Sequence, residues 1–365
     1  MIFLKTENLY QSHFTFQVKC WGIQPILLKS KVAWVYMKSV IKKIINYFIT
    51  TNFILNLIPD KPGLTVLTYH AVVKEEMPVK DWCFLPVTSF QEQMQYLKDN
   101  FDVLPLEKGI DLLKNNLLKK PTIAITFDDG MFNNYSVAFP ILKKLNLPAT
   151  IFLSTAFMNT DNSIWFCRLL EAISNTKVPS IKIEGKIYKL ETKKDKYTSS
   201  VELQNQLKKL NLSRFKKIFS EILKKLNVSV KKNSIESSAF NMLDSNSIKK
   251  MHDSGLIDFA PHGETHTILS ILDKEEQIEE IVNSLNKTAQ FTGVTPKIFA
   301  YPNGGKNDFN QDTIDILQKN GISYALSMVT GQNSYQNFNP YKLHRYGIAS
   351  TTTLDQFKLM TNNIV

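Results

Sequence analysis

From Leu64 onward, short apolar runs alternate with amphipathic stretches. Seven runs are apolar, rich in β-branched or aromatic residues, and bounded by Pro, Gly, Asn or Asp. They predict strands at 64–68, 122–127, 149–153, 257–260, 297–300, 323–327 and 343–348. Helical spacing fills the gaps. Ser89 and Glu92 form a candidate capping box ahead of a helix through Asn100. Further helices are predicted at 134–145, stopped by Asn146 and Pro148, at 275–291, closed by Gly293, and at 312–319, ended by Asn320 and Gly321. Strands alternating with helices imply a parallel sheet. About seven such units predict a closed or nearly closed α/β barrel. No G-x-G-x-x-G follows any of the strands, so a dinucleotide-binding sheet lacks its fingerprint.

The alternation is interrupted over residues 160–240. Positions 181–190 alternate apolar and polar around Glu184-Gly185, which predicts a hairpin. Leu212, Phe215, Phe219, Ile222 and Leu226 form one helical stripe. This region is expected to be an α/β insertion packed against a barrel spanning 61–365. Residues 1–60 form an N-terminal extension with no periodic strand pattern. Within it, 38–58 predicts an amphipathic helix. That helix would pack on the barrel or lie at a membrane surface; its charged start also has some signal-like character. Met37 is a second candidate start. No run of about 18 apolar residues suggests a membrane span.

Composition changes this picture little. The chain has 365 residues, 43% of them hydrophobic, enough for a substantial core. The formal net charge is +11, with lysine excess concentrated between Lys182 and Lys232. Such a stretch reads first as a solvated face, and no zinc-finger or RNA-binding motif points to nucleic acid. Cys20, Cys83 and Cys167 are too far apart for a C-x-x-C site. The expected location is cytoplasmic or peripheral to the inner membrane, with export left open.

The chemistry lies on one rim. His70 follows the first strand, Asp128 and Asp129 the second, His262 and His266 the fourth, and Tyr301 and Pro302 the fifth. His344 and Arg345 sit near the start of the last. Most of these positions are the C-terminal ends of strands, where βα loops converge in barrels. Adjacent side chains on a strand alternate, so Asp128 and Asp129 suit a division of labour between proton transfer and metal binding. Two histidines and a carboxylate make a common catalytic metal set that leaves positions open.

These residues, in this order, resemble the polysaccharide deacetylases, also called NodB-homology carbohydrate esterases. The matching segments are Leu67-Thr-Tyr-His-Ala71, Thr126-Phe-Asp-Asp-Gly130, His262-x-x-x-His266, Phe299-Ala-Tyr-Pro-Asn-Gly304 and Leu343-His-Arg-Tyr-Gly-Ile348. The resemblance covers about 61–355 and implies a distorted (β/α)7 barrel. It implies that Asp129, His262 and His266 hold a divalent metal, most simply zinc, with cobalt, nickel or iron also compatible. It implies that Asp128 is the base, with an oxyanion donor from the backbone near Tyr301. His344 is the candidate general acid. Tyr301, Pro302, Asn303 and His70 are candidate substrate contacts. The family's third motif often carries an arginine that orients the base. Ala300 stands there in this chain, and Arg345 is the candidate replacement. Asn303 replaces the usual aromatic. The expected reaction is removal of N-acetyl groups from amino sugars of a polysaccharide or oligosaccharide. A related deformylase or cyclic amidase, or a non-catalytic carbohydrate-binding barrel, are the alternatives.

Overall fold

The structure is a computed structural model that describes residues 61–228 and 239–364. The N-terminal extension, its 38–58 helix, the membrane contact expected of that helix, Met37 and Cys20 lie outside the described residues. No helix among the described residues is long and apolar enough to cross a membrane.

The chain opens with β1 (Gly63–Tyr69), β2 (Ala71–Val73) and β3 (Phe84–Pro86), then α1 (Val87–Asn100), β4 (Asp102–Val103) and α2 (Leu106–Lys114). Next come β5 (Pro121–Phe127), α3 (Phe139–Leu145) and β6 (Ala149–Leu153). The interrupting region holds α4 (Trp165–Asn175), the hairpin β7 (Ser180–Ile183) and β8 (Lys186–Lys189), then α5 (Lys193–Leu207) and α6 (Leu212–Leu226). The chain continues through α7 (Ser245–His252), β9 (Ile257–Pro261), α8 (Lys274–Thr292), β10 (Ile298–Ala300), α9 (Gln311–Lys319) and β11 (Tyr324–Leu326). It ends with β12 (Tyr346–Gly347) and α10 (Leu354–Thr361).

The main sheet is parallel, in the order β12-β1-β5-β6-β9, with β4 also paired to β5. β1 and β5 lie in register from Gly63 against Pro121 to Tyr69 against Phe127. All seven residues of β1 are buried, as expected of a parallel strand covered on both faces. β10 and β11 form a separate parallel pair. No ladder joins β9 to β10 among the described residues. One apolar cluster nevertheless takes Leu64 and Val66 from β1, Ala124 from β5, Phe152 from β6, Ala260 from β9, Ala300 from β10 and Leu326 from β11. The opposite strand faces pack under helices in a larger cluster that includes Leu67, Ile125, Ile151 and Ile257.

Several local expectations change. α1 starts directly after Pro86, and no side chain caps it, so Ser89 and Glu92 form no capping box. The fixed φ of Pro86 turns β3 straight into the helix. The 134–145 segment begins as a π-helical turn, Asn134–Ala138, before α3. Pro140 lacks an amide hydrogen, and Asn134 Nδ2 donates to the His70 carbonyl at 2.6 Å, both favouring a widened first turn. The last predicted strand shrinks to Tyr346–Gly347 because its residues pair with different neighbours. Leu343 bridges Leu326, the Arg345 amide donates to Val329 O, and only then does the chain join β1. The hairpin turns at Glu184 (φ 47°) and Gly185 (φ 86°), the two left-handed residues that a tight hairpin requires.

Candidate active site

The β1–β5 register sets the first half of the site. One residue beyond the paired Tyr69 and Phe127 lie His70 and Asp128, and the Asp128 amide donates to Tyr69 O at 2.9 Å. In-register neighbours share a face, so His70 and Asp128 point into the same space. The chain then turns sharply. Asp129 has φ 78°, a left-handed conformation uncommon outside glycine, and Gly130 follows with the same sign. The turn brings the Asp129 carboxylate back toward the Asp128 side, which strand alternation alone would forbid.

β9 supplies the second half. The His262 amide donates to Leu153 O, while Thr155 and Ala156 donate to Gly263 O and Glu264 O. These bonds pin the 262–264 loop to the end of β6. Glu280, on α8, accepts from the Thr265 amide at 2.6 Å and from Thr265 Oγ1 at 2.9 Å. His266 is left-handed too, at φ 60°. Asp129 and His266 are two of the nine non-glycine residues with positive φ among the described residues, and both lie in this site, where function can demand backbone strain.

The ligand atoms of Asp129, His262 and His266 lie within 4.8 Å of one another. Asp129 Oδ1 is 3.2 Å from His266 Nε2 and 3.9 Å from His262 Nε2. His262 Nδ1 is 2.8 Å from the Ala300 carbonyl, which can only accept. The ring proton is therefore on Nδ1, and the Nε2 lone pair is free to bind a metal. Burial pushes both histidines down, His266 well below its ordinary value, so both rings are neutral. Burial, then the neighbouring Asp128, drives Asp129 strongly upward. Both Asp129 oxygens are buried and lack a hydrogen-bond partner. A buried carboxylate without partners is costly, and a divalent cation held with two neutral imidazoles would remove that cost. The donor set thus fits zinc, cobalt, nickel or iron.

Asp128 has a different environment. Arg345 Nη1 donates to its Oδ1 at 2.7 Å, and its Oδ2 is 3.6 Å from His262 Nε2. Burial works to raise the Asp128 carboxyl, but Arg345, His262 and His70 outweigh it and hold the group at about 2. Arg345 is fully buried, donates through Nε to Ser327 O, and sits 5.7 Å from the Phe152 ring centre.

The other candidates fall in different places. His70 stands edge-on to Trp82 at 4.7 Å, and its Nδ1 is buried without a partner. Its pKa is lowered to about 4, first by burial, with Asp128 opposing and His262 and Arg345 adding to the depression. His344 does not share this electrostatic environment. Arg345, which lies just before β12 and not within it, turns inward to Asp128. The His344 ring lies against Gly331, and Lys306 is the charge acting on it. Tyr301 also turns away. Its ring stacks on Phe309 at 3.8 Å, its hydroxyl donates to Tyr341 O, and its amide is used by Leu326 O. Neither its side chain nor its amide is available to a substrate. Pro302 packs against the Gly263 turn and supports the loop. Asn303 alone of the three reaches the open groove beside His266. Glu280 and Lys208 are partners that sequence reading missed. Neither stands in a motif, and each meets the site only through helix packing.

A polysaccharide deacetylase family model matches residues 115–325. The Staphylococcus epidermidis poly-β-1,6-N-acetyl-D-glucosamine N-deacetylase is 33% identical over 116 residues, covering 28% of this chain and 40% of that protein. The polysaccharide deacetylase relative YxkH of Bacillus subtilis is 34% identical over 97 residues, covering 26% of this chain and 33% of its own length. The chain therefore spans well under half of either relative. Among solved structures, the deacetylase PplD of Streptococcus pyogenes, in complex with acetate, superposes with a TM-score of 0.55 at 19% identity. That match covers 82% of this chain and 99% of PplD. IcaB of Ammonifex degensii gives 0.53 at 19% identity, covering 83% of this chain and 98% of that one. At such identities the superpositions speak to the fold: α/β with a parallel central sheet.

Proposed function

The chain belongs to the polysaccharide deacetylase family, and from that premise we propose that it is a metal-dependent hydrolase removing N-acetyl groups from amino sugars. The observation that carries this reading is the pairing of two unlike carboxylates. Asp129 is buried without a protein partner beside two neutral imidazoles, whereas Asp128 is held ionised by Arg345. One suits a cation and the other a proton. We read the shared interior cluster as the core of the family's distorted (β/α)7 barrel, with the β9–β10 gap spanned by the His262–Ala300 contact.

Asp129, His262 and His266 would hold the ion, zinc in the simplest case. When bound, it supplies Lewis-acid polarisation of the acetyl carbonyl. Asp128 takes the proton of the attacking water, and Arg345 keeps the carboxylate in place and ionised beforehand. No hydrogen bond among the described residues uses the Asn303 backbone N–H, and we assign it the oxyanion-donor role in place of the Tyr301 amide. The C–N bond then breaks, acetate leaves, and the sugar nitrogen needs a proton to depart as an amine. With His344 outside the site, the protonated Asp128 carboxyl is the proton source at hand, and the neutral His70 imidazole, which shares its face, is placed to pass that proton on.

The test is acetate release from chitooligosaccharides and poly-N-acetylglucosamine, with and without added zinc. Asp128→Asn and His262→Ala should each abolish it. Full activity in either variant, or no release from any N-acetylated glycan by the zinc-loaded protein, would refute the proposal.

A further inference from the structure

The 160–228 region touches the barrel at a point away from the metal ligands. Gln204 lies on the buried face of α5, and its Nε2 donates to Asp81 Oδ2 at 3.0 Å and to Ser200 Oγ at 3.1 Å. Asp81 and Gln204 are both buried and lie 123 positions apart in sequence. The other Asp81 oxygen, Oδ1, accepts from the Cys83 amide at 3.1 Å, and the Phe84 amide donates to Asp81 O at 3.4 Å. Asp81 thereby shapes the tight turn at 81–84, as an aspartate does when it bonds its own backbone two residues on. Trp82 stands at the corner of that turn. Its carbonyl accepts from the Ser350 amide at 2.8 Å, just beyond β12, and Cys83 O accepts from the Ala71 amide at 3.0 Å. The Trp82 ring meets His70 edge-on at 4.7 Å. A histidine ring is ordinarily oriented by a bond to one of its nitrogens. Nδ1 of His70 is buried and has no such partner, so the ring angle is left to packing against Trp82.

We propose that Gln204, acting through Asp81, is a positioning residue for the reaction. It fixes the turn that sets Trp82 against His70, and so orients the imidazole that shares a face with Asp128. The physical case starts from the two acceptor oxygens of Asp81. One is used to shape the turn. The second is satisfied from α5, and without Gln204 it is a buried carboxylate oxygen lacking its partner. Relief comes by opening the turn until water reaches that oxygen. Trp82 is 42% exposed, so its own packing is incomplete and the turn backbone decides where it stands. A displaced Trp82 frees the His70 ring to rotate, since no hydrogen bond at Nδ1 opposes this. The chemical step depends on that orientation, so the loss falls on kcat rather than KM. This rests on the deacetylase reading for what His70 does, but not for what holds it.

The experiment uses the whole zinc-loaded protein with one N-acetylated oligosaccharide, and nuclear magnetic resonance of histidine-labelled protein with His70 assigned from His70→Asn. Gln204→Leu removes the donor at similar volume. It should lower kcat about fivefold to tenfold with KM within about twofold, and Trp82→Ala should lower kcat at least as much. In Gln204→Leu the His70 ring protons should move toward their positions in Trp82→Ala and lose their cross-peak to the Trp82 indole. With both substitutions together, kcat should equal that of Trp82→Ala alone, because both act through one ring. Asp81→Asn should keep most of the wild-type kcat. Its carboxamide still accepts from Cys83 and can donate to a turned Gln204 amide. Gln204→Ala gives the same readings if Gln204→Leu does not fold. Unchanged kcat or unchanged His70 resonances in the Gln204 variants, or losses that multiply in the double variant, would overturn the proposal. A Gln204-dependent shift of the His70 resonances in a wild-type protein that releases no acetate would sink the deacetylase reading and leave Gln204 as the residue that orients His70.

Discussion

Arg345 Nη1 lies 2.7 Å from Asp128 Oδ1, joining residues 217 positions apart in a pair that is almost wholly buried. Removing one member of such a pair strands the other charge, typically at about 3–5 kcal/mol. Arg345→Met is therefore expected to destabilise by that order and to lower acetate release by about a hundredfold or more, as the base loses its charged form. Adding Asp128→Asn to Arg345→Met should restore much of the stability and none of the activity. Urea unfolding of the four proteins of this cycle, with acetate release, checks both. A fully active Arg345→Met enzyme would show that the guanidinium is structural only.

Asp129 should behave in the opposite sense. Its oxygens are buried, unpartnered and next to Asp128. In metal-free protein, Asp129→Asn removes a buried carboxyl whose raised pKa costs stability at neutral pH, and is expected to raise stability by about 1–3 kcal/mol. Zinc at a hundred times its dissociation constant should add about 2.7 kcal/mol to the wild type and almost nothing to the variant. Thermal unfolding with and without chelator reads this directly. A variant that is less stable than metal-free wild type would contradict the account.

His70 and His344 separate the two candidate proton donors. His70 shares a face with Asp128, whereas His344 lies against Gly331. His70→Asn is expected to lower kcat by about ten- to a hundredfold. His344→Ala should leave kcat within about twofold, since nothing connects it to the reacting atoms. Steady-state kinetics on one N-acetylated oligosaccharide distinguishes them, and the reverse ranking would move the acid to the last strand.

Gly304 holds Asn303 in place by conformation. Its φ is +70°, and a Cβ there would sit 2.9 Å from the Met328 amide nitrogen and 3.1 Å from Tyr301 O. Backbone atoms cannot give way cheaply, so Gly304→Ala should cost more than about 1 kcal/mol. It should also shift the Asn303 amide, lowering kcat more than it raises KM. A variant with wild-type kinetics would remove Asn303 from the oxyanion role.

Much of this protein could be read along the chain because its signals are local. The seven strands are short apolar runs whose burial on both faces leaves no polar alternation to confuse. The Asp128-Asp129 and His262–His266 pairs sit where strands end, and rim placement follows from that alone. Tertiary structure decided what depended on contacts between distant segments. Alternation predicted divergent acids after β5, but the left-handed turn at Asp129 bends the second carboxylate back. The same alternation, applied to a last strand whose residues pair with different neighbours, left the direction of His344 open until Arg345 was seen to face Asp128. Tyr301 stood in a motif yet turned into the outer core, because Phe309 and Tyr341 offered it a stacking face and an acceptor. Glu280 and Lys208 reach the site from helices whose own residues carry no mark of it. Side-chain identity sets what a residue can do, but which partner it meets depends on strand register and helix packing, and these are settled by the collective burial of residues far apart in sequence.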